Sequence, residues 1–164
     1  MVYVWTILGI FITGLLCLAL TGRRLLTALQ QREAMRAFEV FQLQREQLEA
    51  KFFDMASRLG KPRGLRWIEC DWQPEMCCGR DRQTGMLTAF LAVNIRFEAV
   101  EGSEMEDVAA VGTVREAAAL FHFRDGQWGT GGRALFNMNP ADALARLEDQ
   151  YEAVHTDGFQ NLST

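Results

Sequence analysis

The sequence predicts an α+β protein built from an N-terminal transmembrane helix, a long amphipathic helix, a four-stranded antiparallel meander sheet and a short C-terminal helix. Three observations predict it. No charged side chain occurs from Met1 to Gly22, apolar residues then recur at spacings of three and four as far as Leu59, and from Leu65 the period changes to two. With 164 residues, 49% of them apolar, the chain has material for one ordinary domain and a little more. A net charge of −4 excludes the strongly basic face that nucleic-acid binding normally needs.

The first stretch, "MVYVWTILGIFITGLLCLALTG", would span roughly 30 Å as a helix, the thickness of a bilayer core. A cleaved secretory signal would begin with basic residues and end in small ones; nothing basic precedes this run, and Ala19-Leu20-Thr21 is a poor cleavage site. Cys17 follows Leu16 where a lipoprotein signal wants a small residue. The expectation is a retained single-pass anchor over residues 1–22, with Tyr3 and Trp5 at one interface and Arg23 and Arg24 at the other. Arg23, Arg24, Arg32 and Arg36 follow the span and no side-chain charge precedes it, so the positive-inside rule places the C-terminal domain in the cytoplasm. There Cys70, Cys77 and Cys78 are expected as thiols. Gly9, Thr13, Cys17 and Thr21 repeat every four residues, a stripe of small side chains suited to self-association of spans and hence to a homo-oligomer.

Residues 23–37 read as a juxtamembrane helical stalk, able to form a coiled coil, and 38–155 as the α+β domain, followed by a flexible tail over 156–164. The long helix carries Ala34, Phe38, Phe41, Arg45, Leu48, Phe52, Met55 and Leu59 along one face, and only Arg45 breaks the apolar stripe. Gly60, Lys61 and Pro62 supply its stop. A first strand is expected at Leu65 to Trp72. In the second, Leu87, Ala89, Leu91, Val93, Ile95, Phe97 and Ala99 share one face and Asn94, Arg96 and Glu98 the other. A third runs from about Thr113 to Arg124 and a fourth from Gln127 to Met138, joined by Asp125-Gly126, the preferred type I′ hairpin turn. A tight turn pairs Phe123 with Trp128, Phe121 with Thr130, Ala119 with Gly132 and Ala117 with Ala134. Asn139, Pro140 and Asp142 mark the start of the last helix, whose stripe would be Leu144, Leu147, Tyr151 and Val154.

Strands linked consecutively favour a meander with the helices packed on its apolar face. From about Phe38 to Val154 this element order resembles the cystatin-like and nuclear-transport-factor-like rolls, in which a helix lies across a curved antiparallel sheet. That resemblance implies a fold and brings no functional residues with it.

"IECDWQPEMCCGR", Ile68 to Arg80, holds three of the four cysteines. Zinc sites use paired ligands at C-x₂₋₄-C spacing, which this stretch lacks, so no metal and no cofactor is expected. Cys70 would pack as a small strand residue, and Cys77 and Cys78 would sit in a polar loop closed by Gly79. Arg80 and Arg82 flank the pair and could activate a thiol, but nothing else resembles a nucleophile site. "GTGGRA", Gly129 to Ala134, lacks the Lys-Ser/Thr of a phosphate loop, and its glycines suit a bend, a bulge or a closely crossing helix. The acidic run Glu98 to Asp107 lacks the alternation of a calcium loop and reads as a solvated connection.

The polar sheet face is the candidate ligand site: Asn94, Arg96, Glu116, His122, Arg133 and Asn137, with the two arginines able to clamp a carboxylate. The plainer reading is a wet face with cross-strand ion pairs such as Glu116 with Arg133. No catalytic residue is assigned. The sequence therefore points to a membrane-anchored, non-enzymatic module that binds a protein partner. The alternative is a tethered ligand pocket or enzyme using the polar face, with His122 and Glu116 as acid and base.

Overall fold

The computed structural model describes residues 2–59 and 64–154, and their side chains except at 2–20, 23, 109 and 110. Helix α1 (Val2–Leu59) is followed by strands β1 (Leu65–Asp81), β2 (Leu87–Ala99), β3 (Arg115–Arg124), β4 (Gln127–Gly129) and β5 (Ala134–Phe136), helix α2 (Pro140–Arg146) and strand β6 (Tyr151–Ala153). The α+β class holds, and the sheet has six antiparallel strands in the order β4-β3-β2-β1-β6, with β5 also on β3. No helix among the described residues is long and apolar enough to cross a membrane. The charge-free run, with Gly9, Thr13 and Cys17, falls on positions whose side chains lie outside the described ones; Thr21 is exposed. The Gly60-Lys61-Pro62 stop and the tail over 156–164 also lie outside the described residues.

The core forms where the helix stripe meets the period-two strands. Ala34, Ala37, Phe41, Leu48, Phe52 and Ala56 of α1 bury against Leu87, Ala89, Leu91, Val93, Ile95 and Phe97 of β2 and their neighbours. Phe52 makes edge contacts with Trp72 at 5.3 Å and Trp67 at 6.4 Å, and Phe41 meets Trp128 at 5.1 Å. Each fully buried ring contributes roughly 2–3 kcal/mol by transfer from water. Leu59, expected in the stripe, is 72% exposed. Arg45 resolves its own intrusion: it pairs with Glu49 at 2.7 Å and donates to the Gln73 carbonyl at 2.9 Å.

Two short strands were not foreseen, and two expected segments divide differently. The first strand does not end at Trp72 but continues to Asp81. Pro74, which cannot donate to a ladder, sits in a bulge where β1 passes from Trp72↔Val93 to Met76↔Leu91. Cys77 and Cys78 are therefore strand residues, not loop residues, and Cys78 is buried beside the core. The expected fourth strand breaks into β4 and β5. Asp125 (φ 53°) and Gly126 (φ 79°) form the expected turn and Phe123 faces Trp128, but Ala119 faces Ala134 and Ala117 faces Phe136, two residues later than a regular ladder allows. The slack is taken up around Gly132, where the chain lies against α1: a Cβ there would stand 2.6 Å from the Ala56 nitrogen.

The last helix has the expected start, with Asn139 Oδ1 accepting from the Asp142 N–H at 2.8 Å and Pro140 in its first turn. It stops at Arg146, and Tyr151 belongs to β6, paired with Asp81 of β1. Gly79 makes room for this, because a Cβ there would meet Leu144 Cδ1 at 2.8 Å and Tyr151 Cβ at 3.0 Å. Nor do both helices share one face: α2 covers the other side of the sheet, where Ala143 and Tyr151 enclose Phe90, Ala118 and Leu120 in a second small core.

Candidate functional site

The second core divides the expected polar face. Asn94 and Glu116 face each other across β2 and β3 and border a cleft of about 540 Å³ at the start of α2, with Gln73, Glu75, Cys77 and Asn139. His122 stands six residues from Glu116 on the same strand, roughly 20 Å away, beyond the part of the sheet that α2 covers. Its Nδ1 lies 3.1 Å from the hydroxyl of the buried Thr88. Burial first, then Arg133 and Arg124, lower the His122 pKa below the ordinary imidazole value, with Asp81 opposing.

Arg96 is 3.4 Å from Glu69, and Arg66 pairs with Glu98, so the cross-strand ion pairs of this face join β1 to β2. No ion pair joins Glu116 to Arg133 among the described residues. Arg133 is exposed and its carbonyl accepts from the Leu120 N–H at 3.0 Å. Asn137 takes a left-handed conformation, φ 58°, and donates its N–H to the Glu116 carbonyl at 2.8 Å. Of the six expected ligand-binding residues the cleft thus brings together Asn94 and Glu116. Glu75 and Cys77 were missed there because the strand was expected to stop before them.

Among the described residues Cys70, Cys77 and Cys78 are free thiols. Burial, with Glu69 adding to it, pushes the Cys70 thiol up to about 12; burial raises Cys77, and takes Cys78 to about 12. Arg80 opposes the rise at Cys78 without overcoming burial, and the flanking cations have partners of their own: Arg80 pairs with Glu33 at 3.0 Å and donates to the Gly85 carbonyl at 2.7 Å, and Arg82 pairs with Glu152 at 3.8 Å. Thiols held protonated are poor nucleophiles and poor metal ligands. Among the described residues no group of three or more His, Cys, Asp or Glu side chains could hold a metal ion.

A second groove, unforeseen in the sequence, runs between α1 and β1. Phe53, Ile68, Cys70 and Trp72 line it together with Glu46, Glu49 and Glu69, and it is a shallow, open depression of about 360 Å³. Its signal was present in the chain as the alternation of Ile68, Cys70 and Trp72 with Glu69 and Asp71, but alternation alone does not say that the strand ends one side of a sheet. No protein-family model matches the chain, nor does any curated protein or solved structure.

Proposed function

We propose that the chain is a single-pass membrane anchor carrying a non-enzymatic α+β module that binds a protein partner on the cytoplasmic side. The observation that carries the reading is the continuity of α1: the charge-free run from Val2 to Gly22 and the core-forming face from Ala34 to Ala56 belong to one helix. Between them Leu25, Leu26 and Leu29 are exposed, 53% or more in each case, and the helix first meets the sheet where Arg80 of β1 reaches the Gln30 carbonyl and Glu33, just before Ala34 and Ala37 bury. A helix of 58 residues extends about 87 Å, far more than the sheet requires, which suits a stalk that holds the module off a surface.

The enzymatic alternative loses its acid–base pair, because His122 and Glu116 stand too far apart on β3 to share a substrate proton. A pocket using Asn94 and Glu116 keeps only the cleft beside α2. The anchor is tested by alkaline carbonate extraction of membranes from cells making the full chain or a chain lacking residues 1–22. The full chain should stay with the lipid and the shortened one should be released; release of both removes the anchor. A membrane-impermeant maleimide at a cysteine introduced in place of exposed Glu104 should label only permeabilised cells.

A further inference from the structure

We infer that the outer edge of β1 from Ile68 to Met76, with its groove against α1, takes an added strand from a partner protein in which cationic and apolar side chains alternate. The inference rests on the reading of the chain as an interaction module and names where and what it binds. Among the described residues β2 pairs with one side of β1 from Leu65 to Arg80, interrupted by bulges at Ile68 and between Trp72 and Met76, whereas β6 covers the other side only from Gly79 to Asp81 and Arg45 of α1 takes the Gln73 carbonyl. A strand that long with one open side is a template for a further strand.

The two faces of this edge differ. Trp72 turns toward α1, where it meets Phe52 at 5.3 Å, and Cys70 packs against the same core. Ile68 is 43% exposed above them, and half-buried Phe53 closes the apolar floor. Glu69 and Asp71 turn to the opposite face, where Glu69 meets Arg96 and Asp71 accepts from Asn94 Nδ2 at 3.4 Å. An added strand would therefore send alternate residues into an apolar slot and the rest alongside carboxylates. Glu46 and Glu49 on α1 add negative charge to the rim of the slot, against which Arg45 sets one cation.

Charge decides the occupant. A second copy pairing through the same edge would lay Glu69, Asp71 and Glu75 against their own counterparts, and like charges across a ladder destabilise it. The chain's own residues 155–164 contain no lysine or arginine. A segment alternating lysine or arginine with valine or isoleucine satisfies both faces, and Pro74 in the bulge limits how far it extends.

The test uses the full chain in detergent and a short fluorescent peptide of alternating lysine and valine, with alternating glutamate and valine as control. The lysine peptide should bind and slow amide exchange from Ile68 to Gln73, and the glutamate peptide should do neither. Glu46→Lys with Glu69→Lys should weaken binding roughly tenfold, while Glu101→Lys with Glu104→Lys, the same charge change at a distance, should not. Asp71→Lys is a second variant should the first pair unfold. Absence of binding, or equal loss in the near and distant variants, overturns the inference. So does protection of Ile68 to Gln73 without peptide, whether it vanishes when the chain ends at Val154, which assigns the edge to the chain's own C-terminus, or rises with protein concentration, which assigns it to a second copy. The readouts separate from the anchor: a chain released by carbonate that still binds the peptide keeps the groove and loses the membrane, and the converse result does the reverse.

Discussion

Gly132 takes φ +68° directly above the backbone of α1, so the crossing of strand over helix depends on one missing carbon. Gly132→Ala should cost about 2–4 kcal/mol, combining a left-handed penalty with overpacking. Gly131→Ala, where nothing lies within 4 Å of the added atom, should cost far less; equal losses in thermal or urea unfolding would mean that the contact with Ala56 is unimportant. Titration gives a second expectation. His122 has a folded pKa below its unfolded value, so the unfolded chain takes up that proton first as pH falls. The stability it represents is complete above the unfolded pKa and drains away as pH drops through it toward the folded one. Asp81 acts in the same direction at lower pH: hydrogen bonds from the Thr84 N–H and hydroxyl, and then from Gln150 and Gln83, lower its carboxyl pKa, and the stability is lost as pH falls through the folded value. Urea titrations between about pH 7 and about pH 5 should therefore show a decline that His122→Gln flattens; an unchanged slope would contradict a lowered pKa for this half-buried imidazole.

β1 shows how far a period can be read and where it misleads. The faces of β2 were legible because seven alternate apolar residues leave one register, and the hairpin at Asp125-Gly126 because two successive positive φ angles demand those residue types. The start of α2 was legible from Asn139 and Pro140 for the same local reason. Pro74 reads locally as the end of a strand, whereas nonlocal partners keep β1 going: β2 resumes pairing from Met76 to Arg80, and Arg45 reaches across from α1 to the Gln73 carbonyl at the bulge. β6 was hidden because Leu144, Leu147, Tyr151 and Val154 fit a helical stripe. The competing pattern is nonlocal: Arg82 donates its N–H to the Gln150 carbonyl and its Nε to that of Glu148, on either side of Asp149. The candidate cleft was half legible for this reason, with Asn94 and Glu116 on expected strands and Glu75 and Cys77 beyond the expected end of one. Arg45→Met should cost about 1–3 kcal/mol by stripping a part-buried carbonyl of a charged donor, and should speed amide exchange around Trp72 to Met76. Loss of stability without that local change would assign Arg45 to its pair with Glu49 alone.

Burial along α1 sets what the folded unit needs. From Arg24 to Glu33 the described side chains of α1 are exposed, whereas Ala37 supplies the carbonyl to which buried Trp128 donates its Nε1 proton, at 2.6 Å. A chain lacking residues 1–22 should keep its melting temperature within about 2 °C in matched detergent, and one lacking residues 1–37 should lose roughly 5–10 °C by leaving that indole unpaired. Similar losses in both would place part of the fold's support within residues 1–22. From Arg23 to Leu59 α1 contains neither glycine nor proline, so it has no built-in swivel. Heading and height are then geared together: one residue added between Arg24 and Ala34 lifts the sheet about 1.5 Å and swings it about 100° around the helix axis, whereas seven restore its bearing to within about 20°. The open edge of β1 thus points along a compass direction set by the count of residues beneath it, and a partner fixed in the same plane would read that count as an angle.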